Sequence, residues 1–297
     1  MMPKIHTIDL HFLTNRSIAA YVVESSDGPI LVETGPHSTY ERLTEACKAL
    51  GFSMSDFRHV LLTHIHFDHA GAAWAIAAHG AKVYVHPLGY KHLKDPTRLY
   101  NSAKIIYKDQ METLWGIMKS IPEEQLISVA HQTSIQIGEH KWTAWHTPGH
   151  ARHHIAWQLD SQVFSGDVGG VLVGDGPVVP PCPPPDIDLE AWKESIDLLT
   201  GLNLEALYLT HFGKVGNVVE HLQELEKILW DWALWIKDKM EQGLSQEDMV
   251  ATFEAYDRDR LVSNGVDSEA LKSYSVANPA RFSVAGLARY WEKKVKT

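Results

Sequence analysis

The segment 63–71 reads Thr63-His64-Ile65-His66-Phe67-Asp68-His69-Ala70-Gly71. It packs three histidines and an aspartate into six positions, and it directly follows a short apolar run that predicts a buried strand. Neutral imidazole and carboxylate groups are the ligands that Zn²⁺, Mn²⁺ and Fe²⁺ accept in proteins. Residues two apart on an extended loop point the same way, so His64 and His66 can bind one metal. Asp68 and His69, at the turn into the next helix, can face a second.

Three further ligand-type residues stand just past the carboxyl ends of other predicted strands. They are His150 in TPGH after strand 141–146, Asp167 in SGD after strand 162–165, and His211 in THFG after strand 206–210. Folds of the α/β class collect their sites at the carboxyl ends of strands. Four such sets of ligand-type residues in one chain therefore predict a single metal site.

Short apolar runs alternate with helical spacing through the first half of the chain, and this alternation predicts an α/β layered core. Strands are predicted at 5–12, 18–24, 30–34, 59–63, 81–85, 134–138, 141–146, 154–159, 162–165 and 206–210, and helices at 39–50, 70–78 and 189–200. Residues 88–125 are polar and helix-prone and predict a helical insert. Residues 169–185 contain PVVPPCPPP and predict an extended loop, because successive prolines preclude a helix.

The last part of the chain has a helical pattern, which includes the long amphipathic stretch 218–240. We therefore predict a core at 1–216, with the insert at about 88–125, followed by a helical C-terminal extension at 217–297. The stretch 218–240 carries three tryptophans. Packing onto the core is the favoured account of these rings, and the surface of a homodimer is the alternative.

Composition and charge narrow the class of protein. The 297 residues carry a net charge of −10, which argues against nucleic acid as a partner because a polyanion needs a basic surface. The 18 histidines raise the expectation of a metal site. Cys47 and Cys182 are expected to be reduced thiols in a cytoplasmic protein. The sequence opens without a basic-then-apolar leader, and no apolar run approaches the ~20 residues that span a bilayer, so we expect no membrane partner.

The motifs THIHFDH, TPGH, SGD and LTHFG resemble those of the metallo-β-lactamase superfamily, over roughly residues 5–215. The resemblance implies a four-layer αββα sandwich with a dinuclear metal site at one edge. One metal would be bound by His64, His66 and His150, the other by Asp68, His69 and His211, and Asp167 would bridge the two. The implied cofactor is a pair of divalent transition-metal ions per chain, Zn²⁺ in the first place, with Fe or Mn as alternatives.

Within that superfamily, the His-x-His-x-Asp-His signature carrying both Asp68 and His69 is similar to the two-metal hydrolases. A core followed by about 80 helical residues is similar to glyoxalase II, and the string THIHFDHAG resembles the lactonase branch. The resemblance implies that a hydroxide shared by the metals cleaves an ester-type bond of a small molecule, in a thioester, lactone, carboxylic ester or phosphate ester. Asp68 would orient that hydroxide besides binding metal.

Three more residues are candidates to hydrogen-bond the ligands from behind: Glu33, His146 and His154. Glu33 stands in the turn Val32-Glu33-Thr34-Gly35, where the superfamily commonly has an aspartate. Lactonases tend to place a tyrosine just after the residue that corresponds to Asp167, and this chain has glycines there.

Two other function classes remain open on the same fold. A mononuclear-iron dioxygenase of the persulfide dioxygenase type would bind one iron per chain, so metal content separates it from a two-metal hydrolase. A nuclease of the RNase Z type is disfavoured by the negative net charge and by the absence of a basic arm.

Overall fold

Two six-stranded sheets pack face to face at the centre of the protein, and helices cover the outer face of each sheet. The computed structural model describes residues 3–295. The layers follow the αββα order that the sequence motifs predict, and both sheets are mixed. None of the helices in this described range is long and apolar enough to cross a membrane.

The first sheet contains six strands that lie side by side in chain order. They are β1 (Ile5–Asp9), β2 (Ala19–Val23), β3 (Ile30–Val32), β4 (His59–Leu61), β5 (Lys82–Val85) and β6 (Leu126–Ser128). Strands β1 to β3 pair antiparallel, whereas β3 to β6 run parallel. The sequence did not predict β6, which forms an edge of this sheet.

The second sheet is built from the later strands, again in chain order. They are β7 (Thr133–Ile137), β8 (His140–His146), β9 (Ile155–Leu159), β10 (Gln162–Phe164), β11 (Ala206–Leu209) and β12 (Gly213–Val215). Only the pair β10–β11 is parallel among the paired strands of this sheet within residues 3–295. The edge strand β12 was also absent from the sequence prediction.

Alternation along the strands divides the apolar residues between two cores. All five residues of β2 are buried, because both faces of its sheet are covered. Tyr21 joins the cluster between the sheets, together with Trp142 and Trp157, whereas its neighbour Val22 joins the cluster beneath the helices. Successive side chains on a strand point to opposite faces, so this division follows from the two-residue period.

Helices α1 to α6 lie among the elements of the first half of the chain. They are α1 (Tyr40–Ala49), α2 (Phe67–Ala70), α3 (Ala73–Ala77), α4 (Pro87–Lys94), α5 (Thr97–Tyr107) and α6 (Met111–Trp115). The last three lie within the predicted insert. The single helix predicted at 70–78 is instead two short helices, because the turn before α1 packs against the junction. The Thr34 N–H donates to His69 O at 2.8 Å, and a Cβ on Gly71 would lie 2.9 Å from Pro36 Cα.

The second sheet is covered by α7 (Leu189–Thr200) and by the helices of the predicted extension, which are α8 (Val218–Glu241), α9 (Gln246–Ser263), α10 (Ser268–Ala277) and α11 (Ala280–Val295). The predicted boundary near 216 falls between β12 and α8. Apolar side chains from both sides of it share one cluster, in which Leu207 of β11 packs with Leu229 and Trp232 of α8. The ring of Trp232 is therefore part of the core, which agrees with the prediction that the tryptophans of 218–240 pack onto it.

Candidate metal centre

The seven side chains that the sequence predicts as metal ligands lie together at one edge of the sandwich. They are His64 and His66 after β4, Asp68 and His69 in α2, His150 after β8, Asp167 after β10, and His211 after β11. Strands of both sheets end at this edge. Residues that are distant in the chain therefore converge on one site.

One group consists of three imidazoles and a carboxylate. His64 Nε2 lies 2.9 Å from His66 Nδ1, and His150 Nε2 lies 3.2 Å from the same His66 atom. Asp167 Oδ2 faces this group, at 3.2 Å from His150 Nε2 and 4.0 Å from His64 Nε2. These four donor atoms all lie within 4.8 Å of one another, an arrangement suited to a transition-metal ion.

The other group consists of Asp68, His69 and His211. Asp68 Oδ2 lies 3.7 Å from His69 Nε2 and 3.5 Å from His211 Nε2. Asp167 contacts this group through its second oxygen, Oδ1, at 3.1 Å from His69 Nε2 and 3.4 Å from His211 Nε2. The carboxylate of Asp167 thus lies between the two groups, with one oxygen toward each.

Three buried atoms in or facing the second group have no hydrogen-bond partner among residues 3–295: His69 Nε2, His211 Nε2 and Asp167 Oδ1. They approach one another closely, but their orientation does not form hydrogen bonds. Buried polar atoms are nearly always paired, because an unpaired one costs about 1–3 kcal/mol. A cation placed among two imidazole nitrogens and a carboxylate oxygen satisfies all three, so this donor set fits a divalent metal.

The protonation of the first group also suits metal binding. Burial, followed by the charge of the neighbouring imidazoles, holds the pKa of His64 well below its usual value. Burial and His150 likewise lower the pKa of His66 to about 4. Both rings are therefore neutral near pH 7, which is the form of histidine that binds a metal ion.

Hydrogen bonds from behind fix the orientation of three ligand candidates. His150 Nδ1 lies 2.8 Å from Pro181 O, and His211 Nδ1 lies 2.6 Å from Ser17 O. A carbonyl oxygen only accepts, so each Nδ1 carries a proton, and Nε2 is the nitrogen through which each ring would bind a metal. The carboxylate of Glu33 has the same relation to His69, at 3.1 Å from its Nδ1. Neither carbonyl could be predicted from the sequence, since no residue type marks a carbonyl.

The three residues predicted to hydrogen-bond the ligands from behind, Glu33, His146 and His154, have different surroundings. Glu33 is 1% exposed and also accepts a hydrogen bond from the Thr63 hydroxyl. His154 is fully buried with its ring 5.1 Å from that of His64, and its Nδ1 pairs with the Thr147 hydroxyl at 2.8 Å. His146 was predicted to hydrogen-bond a ligand from behind, but its ring stacks on His86 and its Nε2 donates to Arg152 O instead. It lies at the end of β8, where the strand leaves the sheet.

A cavity of about 470 Å³ opens directly onto the candidate metal centre. Its floor contains His66, Asp68 and Asp167. Its walls come from four segments that are separate in sequence: the loop after β1, helices α5 and α6 of the insert, the proline-rich loop 181–185, and the junction of α10 with α11. The insert and the C-terminal extension therefore both shape the space above the site.

Comparisons with known proteins agree with this architecture. The family model described as the metallo-beta-lactamase superfamily matches residues 13–211, a range that includes all seven ligand candidates. The metallo-beta-lactamase fold-containing protein ST1585 of Sulfurisphaera tokodaii is 29% identical over 198 residues, which cover 62% of this chain and 75% of that protein. The thioesterase pkgB of Emericella nidulans is 26% identical over 200 residues, which cover 67% of this chain and 46% of the fungal protein.

A solved structure extends the comparison beyond the matched range. The metallo-beta-lactamase family protein TTHA1429 from Thermus thermophilus superposes with a TM-score of 0.69 at 19% identity. The superposition covers 98% of this chain and 93% of that one. The fold is therefore shared over nearly the whole chain, including the C-terminal helices.

Proposed function

Because the chain belongs to the metallo-beta-lactamase superfamily, we propose that it is a hydrolase that uses two divalent transition-metal ions to cleave an ester-type bond in a small molecule. The bond is that of a thioester, lactone, carboxylic ester or phosphate ester, and Zn²⁺ is the first metal to test, before Fe and Mn. The observation that carries the proposal is the position of Asp167, whose two oxygens face two separate groups of ligand candidates. The similarity to a thioesterase supports the class of bond.

The side chains divide the work of such a reaction. His64, His66 and His150 would hold one metal, and Asp68, His69 and His211 the other, with Asp167 shared. When bound, the metals supply an activated water and polarise the bond to be cleaved. Glu33 and the carbonyls of Ser17 and Pro181 keep the imidazoles turned toward the site.

Asp68 is the carboxylate best placed to meet the attacking water. Its side chain is 21% exposed and lies in the floor of the cavity, whereas the side chain of Asp167 is 4% exposed. Burial raises the pKa of Asp68, but the positive charge of His69 and His211, whose own pKa values are raised, lowers it to about 2, and a bound cation would supply the same charge in their place. Asp68 is therefore ionised at neutral pH and can accept a hydrogen bond from the water and hold it toward the substrate.

We also propose that the protein is cytoplasmic, and the state of its two cysteines supports this. Cys47 and Cys182 are both free and buried. Thiols of this kind are common in proteins of a reducing compartment.

Metal analysis together with a substrate screen tests the proposal. The protein, loaded separately with Zn²⁺, Mn²⁺ and Fe²⁺, should carry close to two ions per chain and hydrolyse at least one member of a panel of thioesters, lactones, carboxylic esters and phosphate esters. His66→Ala should lower the metal count and abolish turnover. His79→Ala removes an exposed histidine at the end of α3 and should change neither. One iron per chain together with oxygen consumption would instead identify a dioxygenase and overturn the hydrolase.

A further inference from the structure

We propose that the cavity above the candidate metal centre binds a large apolar group of the substrate, so that the ester cleaved is that of a medium-chain acyl group. This inference rests on the proposed function, because it assumes that the bond to be cleaved lies at the cavity floor. It adds the substrate class, which neither the ligand set nor the family determines.

The walls of the cavity are almost entirely apolar. Phe12, Leu99, Trp115 and Phe282 line it, together with the prolines of the loop 181–185. The ring of Trp115 stacks on Phe12 at 5.2 Å, so the insert and the N-terminal loop form a continuous aromatic wall. Because most of these side chains cannot hydrogen-bond, a polar substrate body placed here would lose much of its hydration without replacement.

Polar side chains are a minority of the lining, and besides the metal ligand candidates they include the hydroxyl of Tyr107. Ser102, Ser275, Asn278 and Arg281 are the other polar residues of the lining. Arg281 is the one lysine or arginine in this lining among residues 3–295. A polyphosphate or nucleic acid would need several cations at this surface. An apolar body with its ester at the floor fits the lining instead.

The volume sets the size of the group. At about 30 Å³ per non-hydrogen atom, the share of a water molecule in the liquid, about 470 Å³ holds roughly 15 such atoms. A chain of about eight to twelve carbons plus the ester fills this space. Each methylene that leaves water for an apolar wall contributes enough free energy to raise affinity about fourfold.

Ala103 provides a way to shorten the cavity. It lies on α5, lines the cavity and is 8% exposed, in contact with the cluster of Phe67 and Met111. A leucine at this position would project three more carbons from the wall. Lys104 is the matched control, because it lies next to Ala103 on the same helix but is exposed and outside the lining.

The test measures binding separately from turnover. Methyl ketones of four to fourteen carbons, which resemble the ester but are not hydrolysed, are titrated into the metal-loaded protein by calorimetry. Affinity should rise about fourfold per methylene and level off near ten carbons. Ala103→Leu should move that plateau to a chain about three carbons shorter, whereas Lys104→Leu should leave it unchanged.

Two results would overturn the inference: ketone affinity that does not depend on chain length, or a folded Ala103→Leu protein with an unmoved plateau. If Ala103→Leu does not fold, the length series on the unmodified protein decides the question by itself. Hydrolysis of short esters without chain-length dependence would refute the apolar substrate class and leave the hydrolase standing. Length-dependent ketone binding without hydrolysis of any ester would refute the hydrolase alone.

Discussion

Asp167 contacts both groups of ligand candidates, through Oδ2 to His150 and through Oδ1 to His69 and His211. Asp167→Asn keeps the size of the side chain but replaces an anionic oxygen by a neutral amide nitrogen that does not bind a metal. We expect the loss of at least one metal and a fall in rate of more than ~100-fold, beyond the range typical for losing a supporting hydrogen bond. Elemental analysis and steady-state kinetics measure both.

The control for this substitution is Asp160→Asn. Asp160 is exposed at a turn with φ of 53°, a conformation that asparagine adopts readily. It should keep the metal content and rate of the unmodified protein. Full metal content in Asp167→Asn would show that Asp167 does not connect two ions.

Glu33 supports the site without facing the cavity. It accepts from His69 Nδ1 at 3.1 Å and from the hydroxyl of Thr63, and Thr210 Oγ1 lies 3.4 Å from the same oxygen. Glu33→Gln removes the charge at nearly constant shape, so metal affinity should fall about 10- to 100-fold. A chelator titration measures this. Glu24→Gln, which removes a carboxylate paired with Lys4 at the surface, should not change metal affinity, and an equal effect of both variants would refute a specific role for Glu33.

The ligand candidates could be chosen from sequence because each carries its chemistry in its own side chain and stands just after a predicted strand. The carbonyls of Ser17 and Pro181 could not be chosen, because every residue has a carbonyl. The bond from His211 to Ser17 joins positions 194 residues apart, and only the folded chain brings them together. His146 lies four residues after Trp142 on β8, so strand alternation predicts that both side chains point to the same, inner face. His146 ends the strand, however, and its ring stacks on that of His86.

The C-terminal helices contact the proline-rich loop, whose Pro181 carbonyl orients His150. Tyr274 of α10 donates to Pro177 O at 2.8 Å, and Asn278 donates to Pro180 O at 3.1 Å. Gly286 of α11 lies against the same loop, where a Cβ would overlap the carbonyl oxygen of Cys182. The loop, the C-terminal extension and the ligand candidate His150 are therefore joined in one packed unit.

Gly286→Ala tests this connection. The added methyl must push the loop away from α11, which should lower the free energy of unfolding by about 1–3 kcal/mol. Because Cys182 follows Pro181, metal affinity should fall as well. Gly216→Ala is the control, since a Cβ at Gly216 meets nothing within 4 Å. Denaturant unfolding and chelator titration give the two readouts, and a Gly286→Ala protein with unmodified values in both would disprove the coupling.

The sequence predicted most strands and helices because their apolar periodicity is clear. It missed β6 and β12, because each has only one buried residue among its three, whereas the equally short strands β3 and β10 are buried throughout and form apolar runs. Their pairing depends on neighbouring strands that already form the sheet. The break between α2 and α3 was missed because its cause, the approach of Pro36 to Gly71, joins residues far apart in the chain.

The candidate metal centre takes its ligand candidates from both sheets of the molecule. Four ligand candidates follow β4 of the first sheet, and His150, Asp167 and His211 follow strands of the second. Metal binding should therefore stabilise the folded chain, by about 4 kcal/mol when free metal is about 1,000 times its Kd.

Thermal unfolding of the metal-loaded protein with and without a chelator measures this effect, and the midpoint should fall when the metals are removed. The His66→Ala protein should show a smaller shift, because it retains less metal to lose. Superimposable curves, once elemental analysis has established that the metals are gone, would contradict the expectation that the ions link the sheets.

The proline-rich loop belongs to two sites at once. Pro181 accepts the hydrogen bond that orients His150, and Pro183, Pro184 and Pro185 line the cavity. A molecule in the cavity and an ion at His150 therefore act on the same short segment. Thermodynamic reciprocity requires that any factor by which the molecule tightens the ion equals the factor by which the ion tightens the molecule. The change in metal affinity caused by a non-hydrolysed molecule in the cavity should therefore equal the change in that molecule's affinity caused by the metal.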